Sequence, residues 1–323
     1  MTWANISRLV CRSLIGVAAL PIVQSSAQAI VINNTAGVDI ARSLGAPFTA
    51  VTEIFIGGSL CSGSLINLSY VLTAQHCIFG DNPSDISVRF RDLDPLNTLL
   101  DEISVTSIFE VDTTDSLLDG TDIAILELSA PAPEFITPLR FLTNTDNLVG
   151  STVTTVGFGL NGLGSEGHQF TRDGQRWAAE NILDSIGGAA LPDGSTISGS
   201  FNIFSTDFDN GTAINNTMSD FGSSASPLAN EGTTAPGDSG SPLLVKRNDE
   251  FLIAGVLSGG TTATSIFSDI SWWTGSEQHR SFITQWGGQF VSTPESSSPF
   301  ALMALGAVGA SVVWPRRRRQ DQA

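Results

Sequence analysis

Three short segments carry residues able to do chemistry together. In the first, Cys61-Ser-Gly-Ser-Leu-Ile66 is followed by Val71-Leu-Thr-Ala-Gln-His76-Cys77, a histidine beside a cysteine. A cysteine bonded back to a neighbouring strand would hold that imidazole rigidly, as a general base must be held. In the second, Asp122-Ile-Ala-Ile-Leu-Glu-Leu128, a carboxylate opens a mostly apolar strand. A partly buried aspartate needs a partner, and an imidazole N–H suits it because the bond fixes the tautomer and stabilises the imidazolium. In the third, Gly237-Asp-Ser-Gly-Ser-Pro242, Ser239 stands where glycines let the backbone turn tightly. The N–H groups of Gly237 and Ser239 would then converge as an oxyanion hole for a tetrahedral intermediate. Alone, each segment has a plainer reading: a satisfied core histidine, a turn residue at a strand start, a Gly/Asp/Ser turn. Together, in the order His, Asp, Ser and with bracketing cysteines, they are poorly explained by coincidence.

The elements that must position these residues read as short strands broken by turns. Apolar or β-branched runs fall at Val51–Ile56, 64–70, 86–90, 103–109, 123–128 and 152–158, with Gly, Asn, Asp and Pro between them. Further runs lie at 200–208, 242–245, 251–257 and 265–270, and one helical period appears late, at 277–289. Residues 160–200 and 209–235 read as loops long enough to be functional. Many short strands and one late helix give an all-β sandwich or barrel pair.

The 323 residues carry 15 Lys+Arg against 32 Asp+Glu, a formal −17, which argues against general nucleic-acid binding. Arg8 and Arg12, an apolar run and Ala27-Gln28-Ala29 read as a secretory signal peptide over 1–29. Near the other end, an apolar stretch from Phe300 to Trp314 precedes four arginines, Arg316 to Arg319. As a helix it would rise about 22 Å, short for a bilayer core, and the arginines would act as a stop-transfer signal. The body, 30–293, retains nine basic and thirty acidic side chains, a formal −21 that favours solubility. Its two cysteines, Cys61 and Cys77, sit in an expected oxidising compartment and are expected to pair.

The tail at 294–323 resembles a bacterial PEP-CTERM sorting signal, with Pro294-Glu295-Ser296 departing from the motif at its third position. That resemblance implies secretion machinery and an exosortase-type enzyme as partners, and a body that is secreted or displayed at a bacterial surface. A permanent single-span anchor is the alternative.

The body itself resembles the trypsin-like (chymotrypsin-fold) serine proteases. Leu72-Thr-Ala-Gln-His-Cys77 is similar to the family's Leu-Thr-Ala-Ala-His-Cys, Asp122-Ile-Ala-Ile-Leu to Asp-Ile-Ala-Leu-Leu, and Gly237-Asp-Ser-Gly-Ser-Pro to Gly-Asp-Ser-Gly-Gly-Pro. Gln75 and Ser241 depart from the pattern without removing a reacting group. The resemblance spans about 48–287. It implies two six-stranded β-barrels, near 30–140 and 141–290, with the active site between them and a short C-terminal helix. It implies further that His76 is general base and acid, Asp122 orients it, Ser239 is the nucleophile, and Cys61–Cys77 is the disulfide beside the histidine. Protein or peptide substrates follow, hydrolysed without metal or organic cofactor by a monomer.

Two further expectations rest on the same resemblance. A free N-terminus at Ile30 would bury its ammonium against Asp238, although Ile32-Asn33 lacks the family's following Gly-Gly. The specificity pocket would be formed by Thr233, Ser258 and Gly260, with Leu257 just before. Thr233 stands where trypsin has a carboxylate, so a neutral side chain before the cleaved bond is expected and strong selection for Arg or Lys is not. His168 and His279 lack ligand spacing to another His or Cys. The alternatives are a catalytically silent surface binding or matrix protein of the same fold, and an esterase using the same triad.

Overall fold

The computed structural model describes residues 30–292, apart from 94–97, 113, 115, 170–173 and 263. The expected signal peptide at 1–29 and the expected sorting segment at 294–323 lie outside the described residues. No helix among the described residues is long and apolar enough to cross a membrane.

The chain opens with a two-residue strand, β1 (Val31–Ile32), and a helix, α1 (Val38–Gly45). Six strands follow: β2 (Val51–Ile56), β3 (Ser59–Asn67), β4 (Tyr70–Thr73), β5 (Ile86–Arg91), β6 (Leu99–Glu110) and β7 (Ala124–Leu128). They close a barrel in the order β2-β3-β4-β7-β6-β5. The period of two drives it: Ile86, Val88 and Phe90 of β5 are buried while Ser87, Arg89 and Arg91 between them are less so. Ile54, Leu65, Val71, Val88, Phe90 and Leu126 belong to the resulting core.

The second half holds β8 (Arg140–Leu142), β9 (Thr152–Gly157), β10 (Gly162–Leu163), β11 (Gly167–His168), β12 (Trp177–Ile182), β13 (Ser185–Gly187) and β14 (Ile203–Asp207). It continues with β15 (Gly232–Thr233), β16 (Pro242–Arg247), β17 (Glu250–Gly260), β18 (Ile270–Gly275), helix α2 (Arg280–Gln285) and β19 (Phe290–Val291). Its main sheet runs β12-β9-β16-β17-β18-β14-β13. Residues 177–187 pair with β9 through β12 and with β14 through β13, so the sheet rolls round on itself. At Asp184 the ladder breaks, its N–H going to Ser205 O and its carboxylate to the N–H of Asp207. The second roll is a half-barrel beside the closed six-stranded first barrel.

Between the halves lies an apolar layer that includes Val51, Leu72, Ile125, Val156, Val256 and, from α2, Ile283. A buried arginine adds polar ties: Arg176 donates to the carbonyls of Val51, Ala46 and Arg91, and burial pulls its pKa down to about 10. β1 joins the second half despite preceding the first barrel, in a small sheet ordered β11-β10-β1-β15.

Several expected elements shift. The run 64–70 is split by a turn between β3 and β4, and the expected strand at 265–270 begins only at Ile270. Ser265 and Ser268 take positive φ, 56° and 81°, which a strand does not allow. The stretch 160–200 contains β10 to β13, and α1 was not anticipated. The late helix is a single turn, Glu277–His279, followed by α2, with Gly287 at φ 86° just beyond.

Candidate active site

His76 sits in a one-turn helix, Gln75–Cys77, directly after β4. A disulfide joins Cys77 to Cys61 of β3, with Cα atoms 6.3 Å apart. Asp122 comes just before β7, and β7 pairs with β4 through Ala124 opposite Thr73, so strand register brings the two residues together. Asp122 is buried, 1% exposed. Its Oδ1 accepts the backbone N–H of His76 at 2.8 Å, and its Oδ2 lies 2.8 Å from Nδ1 of the ring. One oxygen thus locates the backbone and the other the imidazole. A proton on Nδ1, donated to the carboxylate, leaves the Nε2 lone pair as the free base. Gln75 has a positioning use: its amide donates to the carbonyls of Asp112 and Thr114.

Ser239 lies in a turn held against the first barrel. Its carbonyl accepts the N–H of Ser62 at 2.8 Å, and Ser62 Oγ donates to Gly237 O while accepting the N–H of Phe158. Ser62 adjoins Cys61, so β3 braces the serine turn and the histidine turn at once. Gly240 has φ +81°, and a Cβ there would come within 2.2 Å of Thr73 Oγ1 and 2.3 Å of Ser62 O. Only glycine lets the turn approach the end of β4, three residues before His76. Gly237 and Ser239 give their N–H groups to no acceptor among the described residues, as donors awaiting an oxyanion would. His76 Nε2 and Ser239 Oγ form no hydrogen bond here; Nε2 has Cys77 Sγ 3.9 Å away. Such bonds are often long until substrate is present. Ser62 was missed from sequence, since a buried bracing serine has no spacing signal.

Asp238 is fully buried. Its Oδ2 accepts the N–H groups of Ile30 and Ala235, each at 2.9 Å, and its Oδ1 that of Gly159 at 2.9 Å. Burial pushes its pKa up to about 7 against the opposing pull of these three donors. Pairing of Val31 with Thr233 delivers Ile30 to this place.

A cavity of about 150 Å³ opens beside Ser239, with Thr234, Leu257, Gly259, Gly260, Asp269 and Ser271 among its walls. Of the residues expected to form a specificity pocket, Gly260 lines this cavity. Thr233 and Ser258 do not: Thr233 Oγ1 is spent on Ser271 Oγ at 3.0 Å, and Ser258 Oγ on Thr274 Oγ1 at 2.9 Å. The next residue, Thr234, lines the cavity instead, with its Oγ1 2.8 Å from the same Ser271 Oγ. Asp269 was not foreseen; it arrives from the head of β18, far along the chain from the serine. A larger cavity of about 460 Å³, walled by Leu44, Phe48, Leu139 and Phe251 among others, has none of His76, Asp122 and Ser239 in its lining.

Residues 36–185, a little under half of the chain, match the trypsin family. The fold is chymotrypsin-like. The matched span holds His76 and Asp122 and stops short of Ser239. A protein C activator of Agkistrodon contortrix contortrix is 32% identical over 109 residues, 33% of this chain and 46% of that protein. A trypsin of Saccharopolyspora erythraea is 26% identical over 120 residues, 37% of this chain and 53% of that protein. The chain spans about half the length of these two curated relatives. No cluster of His, Cys, Asp and Glu able to hold a metal ion occurs among the described residues.

Proposed function

We propose that this chain is a trypsin-family serine endopeptidase, secreted or displayed at the cell surface, acting through Ser239, His76 and Asp122. The observation that carries the reading is the doubly bonded His76–Asp122 pair, buried on the carboxylate side, beside a braced Gly-Asp-Ser-Gly turn. His76 takes the Ser239 proton as the oxygen attacks the scissile carbonyl, and then gives it to the leaving amine. The N–H groups of Gly237 and Ser239 hold the oxyanion, and water completes hydrolysis of the acyl-enzyme by the reverse sequence. A fluorophosphonate probe tests this: it should label the purified protein and not its Ser239→Ala variant. A folded but unlabelled parent would favour the silent binding-protein alternative.

Activation follows from Ile30. With its N–H already 2.9 Å from Asp238, a free α-ammonium at this residue would meet a buried carboxylate that has no other cation among the described residues. A chain beginning at Ile30 should therefore hydrolyse peptides at least about tenfold faster than one bearing a single extra residue there. Equal rates would sink the activation role.

A further inference from the structure

Among the residues lining the cavity beside Ser239, Asp269 is the only one that ionises. It is 4% exposed, and no lysine or arginine among the described residues forms an ion pair with it. Its position is fixed: Thr261 Oγ1 donates to Oδ1 at 2.6 Å and Thr262 Oγ1 to Oδ2 at 2.7 Å. Burial raises the pKa of Asp269 against the pull of the hydroxyls of Thr261 and Thr262 and the N–H groups of Ser265 and Thr262, and it lowers that of His168, which feels the Asp269 charge, below the usual imidazole value. The other polar walls are hydroxyls, those of Thr234, Thr262, Ser265 and Ser271.

Resting on the protease reading above, we propose that this cavity selects lysine as the residue before the scissile bond, with Asp269 as its counter-charge. A neutral side chain leaves the carboxylate with neutral hydrogen-bond donors alone, whereas an ammonium supplies a counter-charge. Lysine is favoured over arginine by geometry. A guanidinium binds a carboxylate best as a flat fork on two free oxygens, and both oxygens of Asp269 already hold a threonine hydroxyl. An ammonium needs no fork; its three donors can be shared among surrounding hydroxyls while it feels the carboxylate's field. The neutral preference expected from Thr233 rests on the pocket floor alone, and the charge enters from the loop before β18.

The test uses the intact protein and fluorogenic peptides identical except for Lys, Arg, Leu or Glu before the bond. The expected kcat/KM for lysine is about tenfold above arginine and about 100-fold above leucine. Asp269→Asn should collapse the lysine-to-leucine ratio. Because Asp269 also holds residues 261 and 262, a second readout uses the unaltered protein: n-butylamine should inhibit competitively and 1-butanol should not. Leucine cleaved as fast as lysine, or butanol inhibiting as well as butylamine, would overturn the assignment. If the protein is labelled by fluorophosphonate yet shows no lysine preference, the pocket assignment alone fails. If it is folded and unlabelled, the protease reading fails and this one with it.

Discussion

Ser239→Ala is expected to lower kcat/KM by at least about 10⁴-fold, His76→Ala by a similar factor, and the double variant no further than the worse single. On the proposed mechanism the two side chains act as one device. His76 can remove a proton only if an oxygen carries one to the right place, and Ser239 is a weak nucleophile until that proton leaves. The residual rate should come from the paired N–H donors and substrate positioning, which neither substitution touches. Asp122→Asn should cost somewhat less, because it keeps the contact with the His76 backbone while disturbing the ring tautomer. Initial rates on one peptide across the series decide the matter. Losses that multiply in the double variant would mean independent roles and would contradict the triad.

Raising the pH from 5 to 9 is expected to lower the melting temperature by about 10 °C. Four buried carboxylates meet where β14 leaves the second roll: Asp184, Asp207, Asp209 and Glu231. Asp184, Asp207 and Glu231 accept from neutral donors, among them the N–H groups of Asp207, Asp209, Met218 and Leu228, while Asp209 Oδ1 is buried without a hydrogen-bond partner; no Lys or Arg pairs with the four among the described residues. Burial is the leading cause that pushes Asp184 up to about 7, Asp209 to about 8 and Glu231 to about 7, with mutual repulsion adding to each. Between the ordinary carboxylate range near pH 4 and these raised values, the folded chain keeps protons that the unfolded chain has released. Stability therefore falls as pH climbs through that window and levels off above about 8. Asp209→Asn removes one ionisation and should flatten the decline, with a higher melting temperature than the parent at pH 8.5. A parent whose melting temperature is level across the range would refute this account.

The legible part of this molecule was the part governed by local rules. Val51–Ile56 reads as a strand because its β-branched and aromatic residues fit a pleated, buried surface, and the structure places it there. His76, Asp122 and the Gly237–Pro242 turn stood out because reacting groups carry types and neighbours of their own. What stayed hidden depends on contacts between distant segments. The strand Trp177–Ile182 lies in a Gly- and Ser-rich stretch, and only its pairing with β9 and the packing of α1 make it core. Ser265 and Ser268 interrupt an apolar run by adopting positive φ, which their residue type does not announce. Which threonine lines the cavity beside Ser239 depends on one residue of register, and the contribution of Asp269 on the loop before β18 joining that wall.

The pairing of the chain's opening residues with its later ones also bears on the order of assembly. Ile30 meets Asp238 across 208 positions, with Val31 against Thr233 and Asn33 bonded to Glu231. A ribosome moving at about 5–20 residues per second needs roughly 10–40 s to supply those partners after Ile30 is made. Throughout that wait the apolar trio Ile30, Val31 and Ile32 has no native place to go and must avoid the open strand edges of the growing chain. The first barrel, whose strands lie close in sequence, can form meanwhile. Residues 30–33 are therefore made some two hundred positions ahead of the partners that hold them, which makes this small sheet one of the most non-local contacts of the fold.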